Sequence, residues 1–167
     1  MHVKTAALFR QKWTGRALVV GFTLVGALGL AGPANAAAPA PFTMTDHVDN
    51  NTGVDTFTTS GLLCPSGTFV DDVTAAGFPH SDHSHSEKGF VLIRSTFTCD
   101  DGSGSFTMLK HLTLTFTDTG FTDAGPVEIL GGTGTYAGIT GHGFTSGGTD
   151  GETGIGGGTT TGAVQLP

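Results

Sequence analysis

Beyond Pro41 the chain alternates between short stretches rich in Thr, Phe and Val and clusters of Gly, Asp, Ser and Asn that return every 8 to 12 residues. Apolar residues recurring at every second position, punctuated by turn formers, are the pattern of antiparallel strands, and helical periodicity is hard to find there. The expected strands are Phe42 to Val48, Val54 to Ser60, Gly67 to Thr74, Gly89 to Thr98, Ser105 to Thr117, Pro126 to Leu130, Gly138 to Thr145 and Thr160 to Leu166. Eight strands are enough to close on themselves, and closure removes the exposed edges that an open meander would have to protect. The pattern predicts an all-β fold, an eight-stranded antiparallel up-and-down β-barrel that follows a cleaved signal helix.

The fifth strand shows its two faces most clearly. Phe106, Met108, Leu112, Leu114 and Phe116 share one face, while Thr107, His111, Thr113, Thr115 and Thr117 share the other. The turn before it, Asp100-Asp101-Gly102-Ser103-Gly104, has the small polar residues a tight hairpin uses, so the fourth and fifth strands are expected to pair. Lys110 breaks the pattern because it lies on the face of Met108 and Leu112. Two readings follow: a cation inside a cavity, able to polarise a ligand oxygen or hold a carboxylate, or a side chain snorkelling toward a barrel mouth. In the fourth strand Arg94 shares a face with Phe90, Leu92 and Thr96, opposite Val91, Ile93, Ser95 and Phe97. Periodicity does not say which face is interior; Arg94 either joins a ligand site, meets Glu128 across the sheet, or lies outside in water.

The first 36 residues follow a different pattern. Lys4, Arg10, Lys12 and Arg16 stand without an acidic residue, ahead of an apolar run from Ala17 to Ala31 that meets Gly32-Pro33 and then Ala34-Asn35-Ala36. A basic segment, an apolar segment and small residues at the cut describe a signal peptide, and the run falls short of the roughly 20 residues that span a bilayer. The expectation is removal of residues 1–36, a domain at 37–167, a secreted product and no membrane attachment after cleavage. Removal would leave Lys88, Arg94 and Lys110 against all 14 acidic residues. Such an excess of negative charge repels phosphate backbones and argues against nucleic acid as a partner. Cys64 and Cys99, an even pair in an exported chain, predict a disulfide whose loop closure is worth about 4 kcal/mol in the chain-entropy picture.

From Gly131 onward glycine supplies 14 and threonine 9 of the last 37 residues. Flexible low complexity is one reading, and a calcium β-roll repeat is another, although Tyr136 stands where that repeat needs an aspartate. A third reading rests on the order of residues in Gly131-Gly132-Thr133-Gly134-Thr135-Tyr136-Ala137-Gly138-Ile139-Thr140-Gly141-His142-Gly143. This segment resembles the Gly-Gly-Thr-Gly-x-aromatic motif of the allene oxide cyclase and dirigent barrel superfamily, most of all its small secreted bacterial members. The Cys64 to Cys99 spacing with Cys-Asp-Asp-Gly-Ser-Gly is similar too. The resemblance implies an eight-stranded antiparallel barrel, a hydrophobic cavity for a small apolar molecule, and association into dimers or trimers. It places Tyr136 over the barrel's end and makes Lys110, Tyr136 and Arg94 the candidates for ligand contact. It transfers no active site, since no recognisable set of acids and arginine accompanies Arg94, and Lys110 is the one catalytic candidate.

His80, His83 and His85 fall in the polar segment between the third and fourth strands, with Asp82 and Glu87 beside them. Imidazoles at that density can take Zn²⁺, Cu²⁺ or Ni²⁺, although the spacing matches no standard zinc signature. Asp71-Asp72 and Asp100-Asp101 are paired in sequence only, because neighbours on a strand point to opposite faces. No Gly-x-Ser-x-Gly, Gly-Lys-Ser/Thr or zincin motif occurs, so nothing in the sequence points to a hydrolase or a nucleotide-binding protein and no cofactor is expected. Three functions stay open at this point: a barrel that holds a small apolar molecule, an isomerase or cyclase of the same class, and a structural or envelope-associated module.

Overall fold

In the computed structural model, which describes residues 38–78 and 88–167, the inner faces of eight strands enclose one interior. The strands are β1 Ala40–Asp49, β2 Asp55–Ser60, β3 Ser66–Gly77, β4 Lys88–Cys99, β5 Gly104–Thr117, β6 Gly120–Gly134, β7 Thr140–Asp150 and β8 Ile155–Gln165. Each pairs antiparallel with the next, and β8 returns to β1 from Ala40↔Val164 to Asp49↔Ile155, closing the barrel. The fold is therefore the up-and-down barrel that the alternation predicts. Among the described residues no helix is long and apolar enough to cross a membrane. The proposed signal segment and the histidine-rich segment lie outside the described residues.

Three strands run five or more residues beyond their expected limits. β6 begins at Gly120 rather than Pro126, β7 continues to Asp150, and β8 begins at Ile155 rather than Thr160. Gly, Asp and Ser clusters in these stretches have the composition of turns, yet the ladder runs through them, pairing Gly147↔Gly158 just as it pairs Gly143↔Gly162 within the expected limits. Glycine is there for space: a Cβ on Gly143 would run into Gly162 and the Thr161 carbonyl, and one on Gly147 would meet Gly158 and the Gly157 carbonyl.

The end of the barrel formed by the starts of β1, β3, β5 and β7 is packed solid. Phe57, Phe97 and Phe106 are at most 2% exposed; Phe97 stacks on Phe106 with ring centroids 5.0 Å apart, and Phe57 meets Phe97 edge-on at 5.2 Å. Such offset and edge contacts add to the burial of large aromatic surfaces. The Cys64–Cys99 disulfide ties the β2–β3 connection to the end of β4 over a Cα–Cα distance of 5.9 Å. Around it Thr59 Oγ1 donates to the Cys64 carbonyl at 2.7 Å and Ser66 Oγ donates to Asp100 Oδ2 at 2.8 Å. Tyr136, held by a turn whose Gly134 and Gly138 take φ of 59° and 81°, is buried against Phe106 at 5.6 Å and caps this end.

Candidate ligand-binding cavity

At the opposite end the same alternation points inward at unfilled space. A cavity of about 410 Å³ opens there, within the size range of small-molecule sites. One wall is apolar: Val91, Leu112 and Leu114 are buried together, with Ile93, Phe116 and Phe121 packed against them. The facing wall, from β7 and β8, has almost no side-chain bulk, with Gly148, Thr149, Gly157 and Gly158 lining it. Glycine on those strands and branched aliphatics on β4 and β5 are together what leaves the space.

The floor is polar and charged. Lys110 is 5% exposed and its Nζ lies 3.4 Å from Asp46 Oδ2, the one salt bridge among the described residues. The ammonium also stands 5.3 Å and 5.5 Å from the ring centroids of Phe69 and Phe97, so it marks the boundary between packed end and cavity. Asp71 from β3 and Asp123 from β6 line the cavity as well. Burial lifts the Asp123 carboxyl above the ordinary aspartate range; the charges of Asp46 and Asp71 push the same way, and Lys110 offsets part of this. Ser95, the β4 register partner of Asp71, is fully buried and its hydroxyl has no hydrogen-bond partner among the described residues.

The candidates named from sequence separate cleanly. Lys110 is inside and paired rather than snorkelling to the mouth, because a carboxylate on β1 meets it across the interior. Arg94 is exposed on the outer face of β4 and Tyr136 sits at the packed end, so neither lines the cavity. Strand parity explains Arg94: Phe97, Ser95 and Val91 are the inward set, which turns Arg94 and Phe90 outward. Glu128 is outward too, with Leu109 of β5 standing between it and Arg94 in the ladder. Asp71 faces in, and Asp100 and Asp101 belong to a turn in which Asp101 Oδ1 accepts the Ser103 N–H at 2.9 Å. The metal candidates His80, His83 and His85 fall outside the described residues, and among the described residues no group of three metal-ligating side chains comes together.

Asp46 and Asp123 are the additions. Asp46 was accessible from parity, since Phe42, Met44, Asp46 and Val48 alternate on one face of β1. Asp123 was hidden in a stretch with the look of a turn. Asp49-Asn50-Asn51-Thr52-Gly53 and Asp150-Gly151-Glu152-Thr153-Gly154 form matching turns beside the mouth. In each the aspartate Oδ1 accepts two backbone N–H groups, from Asn51 and Thr52 and from Glu152 and Thr153. Those bonds hold both carboxyls below the usual range. Asn50 and Asn51 side chains then donate to the Gly154 and Thr153 carbonyls at 3.0 Å and 2.8 Å, tying one turn to the other.

Comparison of the chain with protein-family models, with curated proteins and with solved structures found no match.

Proposed function

We propose that this chain is an exported β-barrel that holds a small, largely apolar molecule in its open end. The observation that carries the reading is the cavity of about 410 Å³ with its buried aliphatic wall. A wall of Val91, Leu112 and Leu114 around open space costs the fold packing, and an apolar occupant would recover that contact. The disulfide and the signal-like first 36 residues support export. The closed eight-strand barrel and the Gly131 to Gly143 turn that buries Tyr136 support a place in the allene oxide cyclase and dirigent superfamily.

Native mass spectrometry of the protein recovered from the culture medium tests this reading. The expected result is a small organic molecule released on denaturation, or one apolar probe bound per barrel when the protein is recovered empty. A bare barrel that takes up no apolar probe while fully folded would overturn it. The intact mass also reads the oligomeric state.

A second reading, an isomerase or cyclase, draws on the Lys110–Asp46 pair and on Asp123, whose raised carboxyl retains a proton to higher pH inside an apolar chamber. Loss of a detected turnover in Lys110→Met, with apolar probe binding kept, would favour it; unchanged turnover would remove Lys110 from the reaction.

A further inference from the structure

We propose that the cavity selects an organic cation, a small molecule whose apolar body lies on the β4–β5 wall and whose protonated amine sits near Asp71 and Asp123. The inference rests on the binding reading above and names the ligand's chemistry. Three carboxylates, Asp46, Asp71 and Asp123, line the space against one cation, Lys110. That cation is already committed: its Nζ is 3.4 Å from Asp46 and lies over two phenyl rings. Asp71 and Asp123 have no salt-bridge partner among the described residues. The remaining charge at the site is negative, and a ligand carboxylate would have to enter against it.

Position makes the two free carboxylates useful. Asp71 is exposed and solvated, whereas Asp123 is partly buried beside the aliphatic wall, where its charge is costly. An ammonium placed between them relieves that cost while its hydrocarbon part covers Leu112 and Leu114. Among the described residues no three metal-ligating side chains come together, and an organic cation can meet both the carboxylates and the aliphatic wall. The groups facing Asp123 are Asp46 from β1, Asp71 from β3 and Lys110 from β5, while the neighbouring β7 adds Thr149, which does not titrate. Preference for a cation is therefore expected to fade in acid as the Asp123 carboxyl takes up its proton.

Calorimetric titration of the disulfide-bonded protein with decylamine, decanol and decanoate, at neutral pH and physiological salt, tests the proposal. The expected order is amine, then alcohol, then carboxylate, with the amine favoured over the alcohol by about tenfold, a ratio reachable by one partly desolvated charge pair. In the Asp71→Asn/Asp123→Asn double variant the amine should lose its roughly tenfold advantage over the alcohol. Equal binding of amine and alcohol by the unaltered protein, or stronger binding of decanoate, overturns the cation proposal and leaves the apolar-cavity reading standing. An amine preference that survives in the double variant also overturns it, since attraction to the acidic surface would then be its source. Absence of binding by all three ligands overturns both readings.

Discussion

The two ends of this barrel are built from the same strands and differ in what those strands send inward. At the packed end β1, β2, β4 and β5 deliver bulk inward, including Phe42, Phe57, Phe97 and Phe106, all at most 3% exposed. At the open end β4, β5 and β6 still deliver Val91, Leu112, Leu114 and Phe121, but β7 and β8 answer with glycine and threonine. A barrel of this strand number has an interior that side chains either just fill or leave open for one small ligand. Here one half follows each course, and Lys110 with Asp46 stands at the division. Stability is concentrated where the aromatics and the disulfide meet; the space for chemistry lies where bulk is withheld.

Because of that division, truncation should cost far more at one end than at the other. Phe97→Ala is expected to remove about 4 kcal/mol, enough to unfold a marginal domain, measured by urea denaturation. Replacing Cys64 and Cys99 by Ser should cost up to about 4 kcal/mol on the same assay by freeing the unfolded chain. Lys110→Met leaves Asp46 as an unpaired charge at the floor and should cost about 3 kcal/mol. The Lys110→Met/Asp46→Leu double variant should recover most of that loss, because it removes the stranded charge along with the pair. Leu114→Ala, on the wall of the open end, should cost only about 2 kcal/mol, the low end for a buried leucine, because one side already faces space.

The pH response sharpens the comparison at its weakest point. Asp123 titrates above the usual 3.8 in the folded chain, so the native state binds its proton more tightly than the unfolded state does. Its protonation stabilises the fold at low pH, and that contribution is lost as pH rises from about 3.8 through the raised folded value. Asp123→Asn should therefore raise the midpoint of thermal melting at neutral pH and flatten its dependence on pH across that window. Asp49, Asp101 and Asp150 act with the opposite sign, since turn N–H groups lower their titration, and their contribution is lost as pH falls. Ser95→Ala, which deletes a buried hydroxyl with no partner, should be nearly neutral or slightly stabilising.

Much of this fold was legible because strand parity is a strong signal wherever bulk alternates with polarity, as in β5, whose limits move by only one residue, from Ser105 to Gly104. Parity failed where glycine removed the contrast. β8 in particular reads as low complexity from Ile155 to Gly158, yet those residues complete the ladder to β1. The site followed the same rule. Lys110 stood out because it interrupted an apolar face, and Asp46 stood out equally on β1 once parity was counted. Asp123 did not, since the Gly, Thr and Asp around it resemble a turn, and it faces in only because β6 extends through it in phase with Gly125 and Val127. Tyr136 is buried as its motif suggests, but at the packed end rather than in the cavity. No local pattern states at which end of a barrel a buried side chain lies; that depends on which strand ends converge.

Methyl NMR during titration with decanol distinguishes a barrel with one packed and one receptive end from a uniform one. The account predicts that the methyl signals of Val91, Ile93, Leu112 and Leu114 shift and saturate together, while those of Ile129, Ile139 and Val164 in the packed end stay in place. Shifts spread evenly over both groups, or none in either group with the protein fully folded, would contradict it.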